Sequence, residues 1–571
     1  MRKKWFSLGC LTSIILLGLF VWFGIHSTKK MLTEKTVTVS SSSYLYLNLK
    51  GSIPEFFPLK NSNFGDWNIS AKNIIDRIEA AKNDSKIKGI ILEPKFISVG
   101  LATSHEIMEA LTDFKKSGKK VIAYFDMAGN RDYFLASVAD EIVLNPSSSS
   151  FILLTGLGHK TTYYKQLLDK IGVEMKVVHA GKYKGYGENY SRKSMSPAVR
   201  KNISQLFDGV YNEMLSTIAG NRNISLGEMQ KIYNLRDDIF LSGQNAIDTK
   251  LVDKLMYRDD LYKKLKIDKK HLIPIKNYIP KKSIAAGSKI GVLYANGEIT
   301  SVDKITQNRI TSKKLNKQLD KLMNDSSIKA IVIRVNSPGG SAMESDIIWK
   351  KIQEAKKIKP VVISMGDVAA SGGYYISSGA DYIIADPFTI TGSIGVVAVF
   401  PNVSKLTKKI GLYRDGVVRG KYTNILDPME PINEGTINAF KKSIGRTYTE
   451  FKTRVSNGRN ISLNNVELIA QGQVWNSQDA LKNKLVDDLG DLNKAIKKAA
   501  SIAGIKDYSV VYYPKQKDIL DVILEENFNL SNANILLKNK VVKDLEIDKA
   551  LNYYEMMKAD PVQEILPFNI K

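Results

Sequence analysis

The sequence predicts an α/β layered protein made of two copies of one unit, set behind an N-terminal membrane-crossing helix. Three observations carry that expectation. The chain repeats itself at long range, each copy alternates apolar β-branched runs with amphipathic stretches, and one long uncharged apolar run lies near residue 1.

The repeat comes first, because missing it would misassign everything else. Ile87-Lys88-Gly89-Ile90-Ile91-Leu92 matches Ile328-Lys329-Ala330-Ile331-Val332-Ile333 at an offset of 241. At that offset Val121-Ile122 falls on Val362-Ile363, Asp126 on Asp367, Asp140 on Asp381 and Pro146 on Pro387. Ile171-Gly172 pairs with Ile410-Gly411 at 239, and Leu251-Val252-Asp253 with Leu485-Val486-Asp487 at 234. A slowly shrinking offset is what small loop differences produce.

Within the second copy Ile290–Tyr294, Ala330–Val335, Val361–Met365 and Tyr382–Ala385 read as buried strands. Between two of them, Asp346–Lys357 sets Ile348, Ile352 and Ala355 on one helical face. Strand–helix–strand alternation with fully apolar strands predicts a layered sheet with crossover helices.

At the N-terminus, residues 1–4 form a basic tip, and Trp5 to Ile25 is an uncharged apolar stretch. As a helix it spans about 31 Å, enough for a bilayer core. Trp5, Trp22 and Phe23 sit where interfacial anchors belong. No small-x-small cleavage site is clear, so a retained single-pass signal anchor with an exported body is expected. Residues 26–42 then form a stalk, 43–268 the first repeat, 269–288 a Lys-rich linker, 289–505 the second repeat and 506–571 an extension without a repeat partner.

Composition excludes several functions. The chain has 571 residues, a net charge of +25 and a single cysteine. That cysteine, Cys10, lies in the apolar run, which rules out an intrachain disulfide, a Cys-based metal site and a soluble Cys nucleophile. The basic residues are interleaved with acidic ones and form no aromatic-lined stripe, so nucleic acid is not an expected partner. Only five histidines occur, and none lies in the second half.

Two glycine-bearing segments carry possible chemistry. Asn336-Ser337-Pro338-Gly339-Gly340-Ser341 follows a buried strand, and paired glycines there can aim backbone N–H groups at an oxyanion. A tight strand-to-helix turn would explain it as well. Asp367-Val368-Ala369-Ala370-Ser371-Gly372-Gly373-Tyr374-Tyr375 follows the next strand and exposes a serine among small residues. It is not a Gly-x-Ser-x-Gly elbow, and small-residue packing would account for it equally. Comparison of the copies separates the readings. Ser371 corresponds to Asn130, and Gly339-Gly340 to Ser98-Val99, whereas Lys184 corresponds to Thr423. One copy keeps the serine and glycines, the other keeps a lysine. Complementary losses point to one composite site.

These motifs, together with Thr391-Gly392-Ser393-Ile394-Gly395, closely resemble the signal peptide peptidase A family (protease IV) in its long, duplicated, membrane-anchored form. The resemblance covers nearly the whole chain and implies two domains of the Clp-protease/crotonase type. It further implies Ser371 as nucleophile, Lys184 as general base and Ser393 as the residue that orients the lysine. Backbone N–H groups of Gly339 or Gly340, with Gly372, would form the oxyanion hole. Lys182 is a rival base two residues away, but Lys421 occupies its matching position, which favours a role shared by both copies. Asp367 is expected near the nucleophile, where it would tune the subsites. The family also implies degradation of signal-peptide remnants at a bacterial inner membrane, with the catalytic body on the periplasmic side. A ring-like or dome-like homo-oligomer, a tetramer, is implied too. Neither a metal nor an organic cofactor is called for.

A lysine accepts a proton only when neutral, so its ordinary pKa near 10.4 must fall, as burial between domains would achieve. Two other readings stand beside this one: a catalytically idle membrane scaffold of the same fold, and a crotonase-like acyl-CoA enzyme.

Overall fold

The computed structural model describes residues 39–57, 69–268, 270–279, 287–302, 309–420, 422–516 and 563–565. The expected anchor, Trp5–Ile25, lies outside them. Among the described residues no helix is long and apolar enough to cross a membrane.

Both copies build the same sheet. In the first, the order is Leu272–Pro274, Ser43–Ser52, Ile87–Ser98, Lys120–Phe125, Glu141–Leu144, Lys254–Leu255, all parallel. In the second, Ser509–Tyr513, Lys289–Asn296, Ile328–Ser337, Val361–Ala370, Tyr382–Ala385 and Asp488–Leu489 follow one another in the same order, again parallel. Parallel strands are covered on both faces, which is why they read as continuous apolar runs; Ile331, Val332 and Ile333 are all buried.

Two boundaries differ from the expected ones. Leu272–Pro274 lies in the expected linker yet forms the edge of the first sheet, and Ser509–Tyr513 lies in the expected extension yet takes the equivalent edge of the second. Each unit therefore ends one strand later. Within the extension, Ser509–Tyr513 thus has a counterpart in the first unit, hidden in sequence because so short a strand does not align.

The crossover helices follow from local rules. Ser70 caps Ala71–Asn83 by accepting from the Asn73 N–H, and the helix buries Ile74, Ile78 and Ala81 along one face. Thr311 caps Ser312–Asn324 in the same way and buries Leu315, Leu319 and Leu322. Each unit also carries a 26-residue helix, Pro197–Arg222 and Glu434–Arg459, ended by a left-handed asparagine, Asn223 or Asn460.

The two units share a core. Ala370, Phe388, Ile390 and Val474 of the second unit belong to the apolar cluster of the first. Asn202, on the long helix of the first unit, exchanges hydrogen bonds of 3.0 and 2.9 Å with the backbone of Val474. The strands Glu174–Ala180 and Val396–Asn402, one from each unit, pair antiparallel over seven residues. This shared sheet holds the functional segments of the two copies together.

Candidate active site

The serine sits on a strained turn. The strand Val361–Ala370 ends at Ser371, whose backbone takes φ 56° and ψ −119°, and the short helix Gly372–Ser377 begins beyond it. A non-glycine residue held there costs about 1–3 kcal/mol and persists only when its surroundings enforce it. They do: the Ser371 N–H donates to the Gly392 carbonyl at 2.8 Å, and its own carbonyl accepts from the Tyr375 N–H at 2.8 Å. Gly372 lies against the glycine pair, since a Cβ placed on it would come within 3.2 Å of Gly339 Cα and Gly340 N. The small residues around Ser371 are thus a requirement of close backbone approach.

The lysine arrives from the other unit. After the strand Glu174–Ala180 the chain turns at Gly181, and the Tyr183 N–H donates to the Gln471 carbonyl at 2.9 Å. Gly472 has φ 78°, and any Cβ there would strike the Lys184 backbone at 2.6–2.8 Å. Gln471-Gly472 is therefore the dock that seats the lysine segment, and nothing in the local sequence marked it.

Lys184 Nζ donates to Ser371 Oγ at 2.7 Å, to Ser393 Oγ at 3.1 Å and to the Ser393 carbonyl at 3.0 Å. Lys184 is 1% exposed, and both serines are fully buried. These three partners are two hydroxyls and a backbone carbonyl. Ser393, like Ser371, is held in the left-handed region, with φ 53°.

The remaining expected residues divide. Gly339 and Gly340 form a short strand beside Gly372; the Gly339 N–H reaches Ser337 Oγ at 3.2 Å, and a Cβ on Gly340 would meet the Ile299 carbonyl at 1.9 Å. Lys182 is exposed, with its ammonium over the Tyr183 ring at 4.9 Å, away from Ser371. Lys421 lies outside the described residues. Asp367 turns towards the first unit, where it accepts from the Thr103 N–H at 3.0 Å and from Thr103 Oγ1 at 2.6 Å. It clasps the two repeats, where the Thr103 backbone at the start of a helix attracts its charge.

The pseudo-equivalent site of the first unit is closed. Asn130 replaces the serine, donates from Nδ2 to Thr155 Oγ1 at 3.0 Å and to the Gly156 carbonyl at 2.6 Å, and accepts from the Thr155 N–H at 3.0 Å. Strand pairing sets Leu154 where the second unit has Ser393.

A buried ionic cluster lies between the units, and sequence reasoning missed it. Arg334, on the central strand of the second sheet, is fully buried and pairs with Glu55 and with Glu106, the latter at 2.8 Å. Burial works against its charge, but the two carboxylates hold its pKa above the ordinary value. Next to it His105 Nδ1 lies 2.8 Å from Asp386. Burial pushes His105 down, yet the Asp386 hydrogen bond and charge outweigh it and raise it to about 9. Glu55, Glu106 and His105 come from the first unit, so this cluster cements the interface that positions Lys184.

The profile of peptidase family S49 matches residues 113–272 and 353–506, together more than half of the chain. The chain belongs to peptidase family S49. A Clp protease profile also matches residues 282–384, in keeping with the layered fold. Among curated relatives, Protease 4 of Haemophilus influenzae is 34% identical over 515 residues, covering 84% of this chain and 83% of its own. Serine protease SPPA, chloroplastic, of Arabidopsis thaliana is 31% identical over 483 residues, or 82% and 70%. A putative signal peptide peptidase SppA of Enterococcus faecium is 31% identical over 233 residues, or 40% and 68%. Like these S49 relatives, the chain is a peptidase of the serine type.

Proposed function

We propose that the protein is a membrane-anchored endopeptidase in which Ser371 is the nucleophile and Lys184 its general base. The observation that carries this is the 2.7 Å contact between Lys184 Nζ and Ser371 Oγ, made across the two repeats between buried side chains. A serine hydroxyl needs a neighbouring base at neutral pH. The described histidines are engaged elsewhere: His105 with Asp386, His159 with Thr161, His179 with the Gly181 carbonyl and His271 with Asp268.

In the proposed reaction the neutral Lys184 amine takes the Ser371 proton as Oγ attacks the scissile carbonyl. The oxyanion forms against the Gly372 N–H and that of Gly339 or Gly340. The lysinium then protonates the leaving amine and becomes neutral again. In the second half, Lys184 draws a proton from water, hydroxide attacks the acyl-enzyme, and Ser371 Oγ leaves with that proton. Ser393 holds Nζ on the line to Ser371 throughout.

The substrates we propose are signal-peptide remnants and other apolar peptides at the membrane. The apolar run Trp5–Ile25 and the name of the Enterococcus faecium relative support this. The same run supports an inner-membrane anchor with an exported body. We further propose a homo-oligomer, a tetramer, supported by the segment 411–426. This is the counterpart of the lysine segment, but here Tyr413 and Val417 stand 78% and 82% exposed. Hydrolysis of a reporter peptide by the purified protein tests the reading. No hydrolysis by any form of the chain would instead favour the idle scaffold.

A further inference from the structure

The turn that seats Lys184 is itself held from the long helix Glu434–Arg459. The helix Leu463–Ile469 ends at Ala470, and the chain then passes through two consecutive left-handed residues, Gln471 with φ 55° and Gly472 with φ 78°. On one side of this turn the Gln471 carbonyl accepts from the Tyr183 N–H at 2.9 Å. On the other, the Gly472 N–H donates to the Ile394 carbonyl at 2.8 Å, and the Gln473 carbonyl accepts from the Ser393 N–H at 2.6 Å. Three residues thus frame both the lysine segment and the second serine. A non-glycine residue such as Gln471 stays left-handed only where its surroundings enforce it.

The enforcing group is the phenol of Tyr448, which is 8% exposed. The Gln471 N–H donates to Tyr448 Oη at 3.0 Å. Because the phenol oxygen accepts there, its own proton turns to Glu467, whose carboxylate oxygens lie at 3.2 and 3.3 Å. Lys452 closes the chain of contacts: Nζ donates to Glu467 Oε2 at 2.6 Å and stands 4.5 Å above the Tyr448 ring. Burial, with Glu467 beside it, holds the phenol pKa above its ordinary value against the pull of the Gln471 N–H, so the hydroxyl keeps its proton.

The first unit shows the same tyrosine in other use. Asn223-Ile224-Ser225-Leu226 recurs as Asn460-Ile461-Ser462-Leu463, an offset of 237 that sets Tyr211 opposite Tyr448 and Asn234 opposite Gln471. There the helix Leu226–Asn234 runs on through Asn234, and Tyr211 Oη donates to the Asn234 side chain at 3.0 Å. The phenol holds backbone in the unit that receives the lysine and a side chain in the other.

We propose that Tyr448 is a positioning residue for hydrolysis: its phenol pins the Gln471-Gly472 turn and, through that turn, sets where Lys184 Nζ stands relative to Ser371 Oγ. This rests on the Ser371–Lys184 reading. The Tyr448 hydrogen bonds go to Gln471 and Glu467, so its effect reaches the amine through the dock.

The test compares Tyr448→Phe with Tyr211→Phe, which removes the same oxygen from the counterpart helix. With a reporter peptide, kcat is expected to fall about tenfold in Tyr448→Phe with KM unchanged, and Tyr211→Phe should keep the parent kinetics. Hydrogen exchange at the Gln471 amide should quicken at least about tenfold in Tyr448→Phe and not in Tyr211→Phe. Should Tyr448→Phe not fold, Glu467→Ala reads the same clamp, because it frees the phenol to turn its proton towards the Gln471 N–H; kcat should again fall with KM unchanged. Adding Tyr448→Phe to Lys184→Ala should cost no further activity towards an activated ester. Parent kcat in the folded Tyr448→Phe protein, an equal loss in Tyr211→Phe, or an additive loss in the double variant overturns the positioning role while Lys184→Ala stays impaired. Undiminished hydrolysis by Lys184→Ala is the separate result that overturns the dyad, and the positioning role with it.

Discussion

Lys184 and Ser371 are 187 positions apart in the chain and belong to different repeats, yet Nζ and Oγ meet at 2.7 Å in a fully enclosed setting. Two repeated units, one carrying the lysine and the other the serine, are folded so that these two side chains face each other. The antiparallel pairing of Glu174–Ala180 with Val396–Asn402 brings this about, because it delivers Gly181–Lys184 to the end of the strand that begins after Ser393.

Ser371→Ala and Lys184→Ala are each expected to lower peptide kcat/KM by at least ~10³-fold while leaving the circular dichroism spectrum unchanged. The double variant should be no worse than either single one, because the two act as a unit. Undiminished hydrolysis by either single variant would reject the dyad.

Ser393→Ala removes one of the hydrogen bonds that aim the lysine. A bond of this kind contributes about 1.5–3 kcal/mol, so kcat should fall roughly 10- to 100-fold with KM little changed. Steady-state kinetics with a reporter peptide read this directly. A fall in KM-dependent binding alone would assign Ser393 to substrate recognition.

Gly472→Ala tests the dock without touching a reacting group. Its Cβ would overlap the Lys184 backbone, and the left-handed φ adds strain of about 1–3 kcal/mol. A displacement of the amine by about 1 Å should lower kcat about 100-fold. Wild-type kcat in a folded Gly472→Ala protein would show that the Gln471-Gly472 turn does not set the lysine.

Stability should depend on pH through His105. Its folded pKa, about 9, lies above the ordinary histidine value near 6.5. The protonated ring is thus favoured by folding; its contribution is complete below about pH 6.5 and is lost as pH rises through 9. Glu106, which burial lifts to about 8 against the pull of Arg334, acts with the same sign, because its protonated form is favoured as well. The melting temperature should fall between pH 6.5 and 9, and His105→Gln should flatten that fall while lowering the melting temperature at pH 6. A flat profile in the parent protein would contradict the pairing with Asp386.

Arg334→Met leaves Glu55 and Glu106 buried without their cation and should cost about 3–5 kcal/mol in urea unfolding. Adding Glu106→Gln should recover part of the loss. An additive loss would mean that the two groups are not coupled.

Much of the architecture was legible because the repeat turns one sequence into two aligned witnesses. Parallel strands buried on both faces write themselves as unbroken apolar runs, and the strands at 290, 330, 361 and 382 follow. Lys184 and Ser371 were legible by subtraction, since a residue that one copy keeps and the other discards is under a different demand. The edge strands Leu272–Pro274 and Ser509–Tyr513 were not, because three to five residues at a sheet edge carry no periodicity. Asp367 was assigned to a subsite by its nearness in sequence to Ser371; in space its side chain turns across the repeat boundary to Thr103.

By itself the sequence determined which chemical groups exist and which copy owns each. It holds one cysteine in an apolar run, no histidine after His271, a serine among glycines in one unit and a lysine in the other. Local composition and repeat alignment suffice for that, as both are read along the chain. Only the tertiary structure decided what meets what: Nζ with Oγ, Gly472 beneath the lysine segment, and Arg334 between two carboxylates of the other unit. These depend on distances between residues far apart in the chain, and such distances are fixed by how two whole sheets pack.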